Sequence, residues 1–147
     1  MRKLIIALAA AAFLSGGVYA GASAAAAQEV TLYKNPQCSC CSEYAEYLRK
    51  NGFRVAVKPT DNLDTMNREA GIPENLQSCH LAFVDGYFVG GHVPVGIINR
   101  VLQERPAIKG VSLPGMPMGS PGMGGAKTEP FVVYGIGAGK PSVYSAE

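Results

Sequence analysis

The sequence predicts an α/β domain in which a mixed sheet of about four strands is flanked by helices. The first observation is the order of apolar patterns, which alternate with period two in short runs and with helical period between them. The second is length: after the leader, about 120 residues remain, enough for one domain with a modest core. The third is a change at Gly110, where glycine, proline and methionine become frequent and an irregular C-terminal extension is expected.

Residues 1–27 have the features of a cleaved signal peptide. Arg2 and Lys3 provide the positive end, and the apolar run over residues 4–14 is too short to span a bilayer. The alternative, an uncleaved membrane anchor, is disfavoured for the same reason. We therefore expect an exported protein with a domain over residues 28–109 and an extension over residues 110–147. Cleavage is expected after one of three alanines: Ala20, Ala24 or Ala27.

The charge of the expected mature chain argues against polyanionic partners. Removal of Arg2 and Lys3 from the 13 basic residues leaves a number equal to that of the 11 acidic residues. A chain without net charge has no electrostatic footprint for nucleic acid or for an anionic membrane surface. We expect neither partner, and we expect a monomer.

The first strand and helix enclose most of the cysteines. Residues 30–33 alternate like a short strand. Residues 41–50 have the helical pattern, and Asn51 and Gly52 end the helix. The segment between them is therefore predicted to be a strand-to-helix turn.

A second strand and helix follow. Residues 53–58 alternate between apolar and polar positions, as a half-buried strand does. Thr60 or Asp61 can cap a helix that runs to about Ala70, and Gly71 can close it.

The last part of the domain is predicted to be a hairpin and a helix. Residues 80–84 and 87–89 flank an Asp-Gly turn, which favours a β-hairpin. Residues 95–104 place their apolar side chains on one helical face. The resulting order, βαβα followed by ββα, is the thioredoxin-like arrangement, with helices on both faces of the sheet.

The extension is predicted to be mostly irregular. Glycine and proline over residues 111–125 exclude a regular helix or a central strand. Residues 131–134 predict one short extra strand, and residues 135–147 are expected to fray.

The extension also carries three of the four methionines that remain after the leader. A thioether is a soft metal ligand that needs no deprotonation. The alternative is that these side chains cover the apolar edge of the domain. The three residues are Met116, Met118 and Met123.

Three of the four cysteines, Cys38, Cys40 and Cys41, lie in the strand-to-helix turn. Free N–H groups and the helix dipole at that position lower the pKa of a thiol. Cys38 and Cys41 can be read as a C-x-x-C redox pair with an extra sulfur, or all three as thiolates for a soft metal ion. The usual alternative in an exported chain, two structural disulfides, fits poorly because three cysteines in one turn staple little chain together.

The remaining candidates lie beside the hairpin. In thioredoxin-like folds the loop entering this strand passes the redox turn and usually holds a cis-proline; here Cys79 takes that place and is expected to face the turn. The alternative is an inert buried thiol. His80 adjoins Cys79 and is a candidate metal ligand. If both residues are extended, their side chains point to opposite faces of the sheet. The alternative is that His80 only packs against its neighbours. His92 lies in a glycine-rich loop and can bind a metal or orient a ligand. Neither histidine has a convincing serine or acid partner in the sequence, which disfavours hydrolase chemistry.

Several motifs together resemble the CopG-like proteins of bacterial copper-resistance clusters. They are Cys38-Ser39-Cys40-Cys41, Ser78-Cys79-His80, Gly91-His92-Val93-Pro94 and Gly119-Ser120-Pro121-Gly122-Met123.

The resemblance implies a periplasmic thioredoxin-like domain whose C-terminal extension helps to bind copper. It also implies a cysteine-bridged site for several copper ions that interconverts Cu(I) and Cu(II), with copper-efflux or electron-transfer proteins of the periplasm as partners. The ligands it implies are Cys38, Cys40, Cys41, Cys79, His80, His92, Met116, Met118 and Met123.

Three functions therefore compete. The first is a copper-binding protein, acting as a copper oxidoreductase if the bound metal changes its oxidation state. The second is a thiol–disulfide oxidoreductase with Cys38 as the attacking thiolate and Cys41 as the resolving cysteine. The third is a structural zinc site of three cysteines and a histidine, which the methionines disfavour because thioethers rarely bind zinc.

Overall fold

The structure is a computed structural model that describes residues 27–147. The predicted signal peptide, apart from Ala27, lies outside the described residues. Within them, no helix has both the length and the apolar character needed to cross a bilayer.

The described chain forms a mixed α/β fold around one sheet of seven strands, in the order β2-β1-β3-β4-β5-β6-β7. The helices are α1 (Ser39–Lys50), α2 (Leu63–Ala70) and α3 (Val95–Glu104), with a short 3₁₀ turn at Glu74–Leu76. The strands are β1 (Glu29–Lys34), β2 (Arg54–Pro59), β3 (His80–Val84), β4 (Tyr87–Gly90), β5 (Gly110–Ser112), β6 (Val132–Ile136) and β7 (Ser142–Ala146). The mixed α/β class is confirmed, but the prediction of about four strands is wrong.

The sheet is parallel where a helix directly connects two neighbouring strands, and it is antiparallel elsewhere. β1 pairs with β2 and β4 with β5 in parallel; the other four pairings are antiparallel. Residue alternation in the strands gives the sheet two covered faces. Ala82, Val84 and Val89 pack with α1 and α3 in one cluster. Leu81 and Phe88 point the other way, to a second cluster with α2.

The extension contributes a central strand, contrary to the prediction that it could not. β5 lies between β4 and β6, and it ends before the first proline of the segment, Pro114. Gly110 permits this close pairing, since a Cβ there would lie 2.2 Å from the carbonyl oxygen of Phe88. The prediction failed because it used the composition of the whole segment, in which a strand of only three residues gives no detectable pattern.

The C-terminal residues also form sheet, so the prediction that residues 135–147 fray is wrong. β6 begins and ends later than the predicted strand at 131–134 and pairs with β7. Phe131 and Glu147 exchange backbone hydrogen bonds of 2.7 and 3.4 Å beyond the paired strands. Strand pairing satisfies the backbone groups that a frayed end would leave to water.

Helix ends differ from the prediction in two places. α1 starts at Ser39 rather than Cys41, which puts Cys38 at its N-cap position. α2 is capped at Asn62 rather than at Thr60 or Asp61. The Thr60 hydroxyl instead accepts a hydrogen bond of 3.1 Å from the Asn62 N–H, so it shapes the turn before the helix. The other predicted boundaries change by no more than a residue or two.

Candidate metal centre

The turn between β1 and α1 is held by its own backbone and by a buried lysine. The Cys38 N–H donates to the Asn35 carbonyl at 3.0 Å, and the Gln37 N–H donates to the Asn35 side chain at 2.9 Å. Lys34, only 5% exposed, donates from Nζ to the Pro36 carbonyl at 3.1 Å. These hydrogen bonds fix the position of Cys38 between the end of β1 and the start of α1.

Two of the three cysteines in this turn are joined. Cys38 and Cys41 form a disulfide with a Cα–Cα distance of 5.5 Å. Cys40 and Cys79 are free cysteines, so the chain does not have two structural disulfides. Cys40 Sγ nevertheless lies 3.3 Å from Cys38 Sγ. The bridge closes a sequence separation of only 3, so it constrains the turn itself rather than distant parts of the chain.

Cys79 lies with the other three cysteines, as the topology requires. β3 runs antiparallel to β1, and their register pairs Lys34 with His80. The residue before β3 therefore meets the turn that follows β1. Cys79 Sγ is 3.3 Å from Cys41 Sγ, and the predicted proximity is present.

Both histidines approach the same sulfur. Cys79 Sγ lies 3.7 Å from His80 Nδ1 and 3.5 Å from His92 Nε2. The expectation that Cys79 and His80 point to opposite faces is wrong because Cys79 lies in the bend before the strand, where alternation does not apply. Cys79 is thus the common member of a sulfur group and a histidine group.

The extension orients one of these imidazoles. His92 Nδ1 lies 2.6 Å from the carbonyl oxygen of Pro121. A carbonyl only accepts, so the hydrogen is on Nδ1 and the lone pair of Nε2 points towards Cys79. Gly122 holds this part of the loop against α1, since a Cβ there would lie 2.7 Å from the Tyr44 nitrogen.

Burial favours the uncharged forms of Cys79, His80 and His92 when no metal is bound. Burial, followed by the nearby His92, lowers the pKa of His80 to about 3, and burial also lowers the pKa of His92. Burial and then the neighbouring Cys40 raise the pKa of Cys79 to about 11. Neutral imidazoles can bind a metal directly, whereas the Cys79 thiol must release its proton when a metal binds.

His80 also has a buried polar atom without a partner in the described part of the chain. Its Nε2 is buried and has no hydrogen-bond partner among the described residues. An unsatisfied buried nitrogen costs about 1–3 kcal/mol. Proteins tolerate such a cost most readily where the group has a ligand to bind.

The predicted methionines differ in their relation to the site. Met116 lines an open cavity of about 560 Å³ together with Cys38 and Cys79. Met118 is 64% exposed, and its methyl group packs over Gly125. Met123 is half-buried in the loop beside Gly122. Of the three, Met116 shares a cavity with the cysteines.

Two further residues of the site, Tyr44 and Pro121, are not predicted by the sequence motifs. The Tyr44 ring lies with its centroid 4.7 Å from that of His80 and 5.2 Å from that of His92, and its hydroxyl donates to the Val93 carbonyl at 2.8 Å. Helical spacing from Cys41 could have shown that it faces the site. Pro121 acts through its backbone carbonyl, which no side-chain pattern reveals.

The donor atoms fall into two overlapping groups suited to soft and borderline metal ions. Cys38, Cys40, Cys41 and Cys79 form one group, and Cys79, His80 and His92 form the other; within each, the ligand atoms lie within 4.8 Å of one another. Thiolates suit Cu(I) and zinc, and imidazole suits copper and zinc. The fold and this cluster define a thiol-rich α/β protein with a candidate site for a soft metal ion.

Comparison with known proteins identifies the family. The family described as "Protein of unknown function, DUF411" matches residues 76–123. A solved structure named "Copper resistance protein copG- Form 2" is 33% identical, with a TM-score of 0.76 over 82% of this chain and 98% of that chain. "Copper resistance protein copG- Form 1" is 34% identical, with a TM-score of 0.75 over 81% of this chain and 96% of that chain. No curated protein matches the sequence. The chain belongs to the CopG-like copper-resistance family, which confirms the resemblance seen in its motifs.

Proposed function

We propose that this chain is a periplasmic copper-binding protein of copper resistance that holds Cu(I) in a thiolate-rich, multinuclear site and interconverts Cu(I) and Cu(II). One observation carries the proposal: four cysteine sulfurs and two neutral imidazoles converge around Cys79. The names of the two similar structures support copper as the metal.

The ligand chemistry supports more than one copper ion and both oxidation states. A thiolate sulfur can bridge two ions, so four cysteines can hold several Cu(I) ions at low net charge. Imidazole nitrogen also accommodates Cu(II). Cys38 and Cys41 join such a site only after their disulfide is reduced. The proposed ligands are Cys38, Cys40, Cys41, Cys79, His80 and His92, with Met116, Met118 and Met123 as further candidates.

The proposed setting is a thioredoxin-like domain exported to the periplasm. Support for the fold comes from strands β2-β1-β3-β4 in that order, from helices on both faces, and from the disulfide at the turn between β1 and α1. Support for export comes from the sequence of residues 1–27.

The test is a metal count on reduced protein. The purified chain is fully reduced, freed of reductant without oxygen, and titrated with Cu(I). We expect more than one copper per chain and the ultraviolet absorption of thiolate-to-copper charge transfer. Less than one copper per chain would contradict the proposal, and displacement of the copper by equimolar Zn(II) would favour a zinc site instead.

A second function, thiol–disulfide oxidoreductase, is supported by the Cys38–Cys41 disulfide at the N-terminus of α1. Against it stand two further thiols in contact with the disulfide sulfurs and the lack of a cis peptide bond among the described residues. Insulin reduction by the metal-free chain tests it. Turnover comparable with that of a dedicated oxidoreductase would make this the main function.

A further inference from the structure

We infer that the Cys38 and Cys41 thiols are the source of electrons for copper reduction: closing their disulfide reduces two Cu(II) ions to Cu(I). The inference rests on the proposed copper function and adds the electron donor and its stoichiometry. It makes Cys38 and Cys41 the electron donors and leaves Cys40 and Cys79 as ligands for the reduced copper.

The geometry selects which pair is oxidised. Cys38 and Cys41 bridge across one turn of helix with their Cα atoms 5.5 Å apart, within the range that a disulfide needs. Cys40 and Cys41 are adjacent, so a bond between them would need a strained ring. The chain can therefore hold its oxidised form without moving the helix.

The same geometry leaves ligands for the product. Cys40 Sγ and Cys79 Sγ remain free, each 3.3 Å from one sulfur of the disulfide. Cys79 is also within 3.7 Å of an imidazole nitrogen from each histidine. Cu(I) formed here has soft and borderline ligands at hand after two of the four thiols are spent.

The reaction balances within the site. Two Cu(II) ions each accept one electron; the two thiols of Cys38 and Cys41 lose two protons and two electrons and form one S–S bond. The protons leave to solvent through the open cavity that Cys38 lines. A dithiol reductant outside the chain restores the thiols by disulfide exchange, releasing its own disulfide.

The experiment counts both products of the reaction. Reduced, metal-free protein is mixed anaerobically with excess Cu(II) and a chromogenic Cu(I) chelator, and thiols are then alkylated and mapped by mass spectrometry. We expect about two Cu(I) per chain, as a two-electron couple requires. We also expect a Cys38–Cys41 disulfide, with Cys40 and Cys79 alkylated.

Variants and a second metal complete the test. Cys38→Ser should abolish the paired yield of Cu(I) and disulfide, whereas Ser39→Ala, an exposed residue of the same turn, should leave it unchanged. Zn(II), which has no redox chemistry, should leave all four thiols alkylatable after chelation. Cu(I) formation without thiol loss, or a disulfide that involves Cys79, would overturn the inference. If Cu(I) supplied directly still binds, the copper-binding function survives that result; if it does not, the function itself fails.

Discussion

Two segments of the chain build the candidate metal centre, and they contribute to it in different ways. The cysteine turn, residues 35–41, joins β1 to α1 and supplies three sulfurs from a tightly hydrogen-bonded backbone. The proline loop, residues 113–125, has no regular structure and supplies a carbonyl that orients His92. One segment brings donor atoms, and the other sets the direction of a donor that lies elsewhere.

The difference shows that position in the fold and steric fit are separate ways to build a site. The cysteine turn lies where any strand-to-helix connection of this topology would lie. The proline loop depends on glycines with positive φ, such as Gly119 and Gly122, whose missing side chains let backbone approach backbone. The two segments should therefore fail differently when they are altered.

The largest expected effect comes from removing the sulfur that both ligand groups share. Cys79→Ser replaces a soft ligand by a hydroxyl, and we expect Cu(I) affinity to fall at least about 100-fold. Even the loss of a group that only hydrogen-bonds to a ligand can lower metal affinity by up to about that factor. Competition with a Cu(I) chelator measures it. Metal-free stability should change by less than about 1 kcal/mol, because the two side chains are similar in size. An affinity within threefold of wild type would show that Cys79 is not a ligand.

The proline loop should respond through stability first. Gly122→Ala adds a Cβ 2.7 Å from the Tyr44 nitrogen at a residue with φ of 79°, so we expect a loss of about 2–3 kcal/mol in the free energy of unfolding. Displacing Pro121 should also weaken copper binding through His92.

Gly124→Ala is the matched control, because a Cβ at that residue would have nothing within 4 Å of it and the change in stability should be less than about 0.5 kcal/mol. Urea denaturation compares the two variants. Equal losses would mean that the loop does not depend on the contact between Gly122 and α1.

A smaller effect is expected on the stability of the metal-free protein at low pH. The pKa of His80 is lowered from 6.5 to about 3 in the folded chain, so between these values the unfolded chain binds a proton that the folded chain does not. Stability of the metal-free protein therefore falls as pH falls through this window. We expect a loss of about 2 kcal/mol from this residue between pH 7 and pH 5.

Urea denaturation at the two pH values measures this loss, and the His80→Gln variant shows how much of it belongs to His80. In the folded chain, Tyr44, Cys79 and His92 surround this imidazole. An equal pH dependence in wild type and variant would place the effect on other groups.

The cysteine turn was the more predictable of the two segments. Strand and helix periodicity located it to within two residues, and antiparallel pairing of β3 with β1 brings Cys79 to it. Cys40 and Cys41 both lie inside α1, which begins at Ser39. This start is hard to place from the sequence because no side chain caps the N-terminus of the helix.

The proline loop and the last strands were harder to predict because their structure depends on distant partners. β5 has three residues and no pattern of its own; it forms because β4 and β6 lie on either side. The carbonyl of Pro121 has no identity in the sequence, so its role with His92 follows only from the fold. The methionines were visible in the sequence, but their different exposures were not.

The position of Tyr44 gives the centre a built-in optical reporter. The chain contains no tryptophan, so its ultraviolet emission comes from tyrosine alone. This ring packs against both imidazoles, close enough for a bound paramagnetic or charge-transfer-absorbing ion to quench its fluorescence. Binding and release of such an ion can thus be followed by the tyrosine fluorescence of the unlabelled protein. Comparison with Tyr44→Phe isolates the contribution of this one ring.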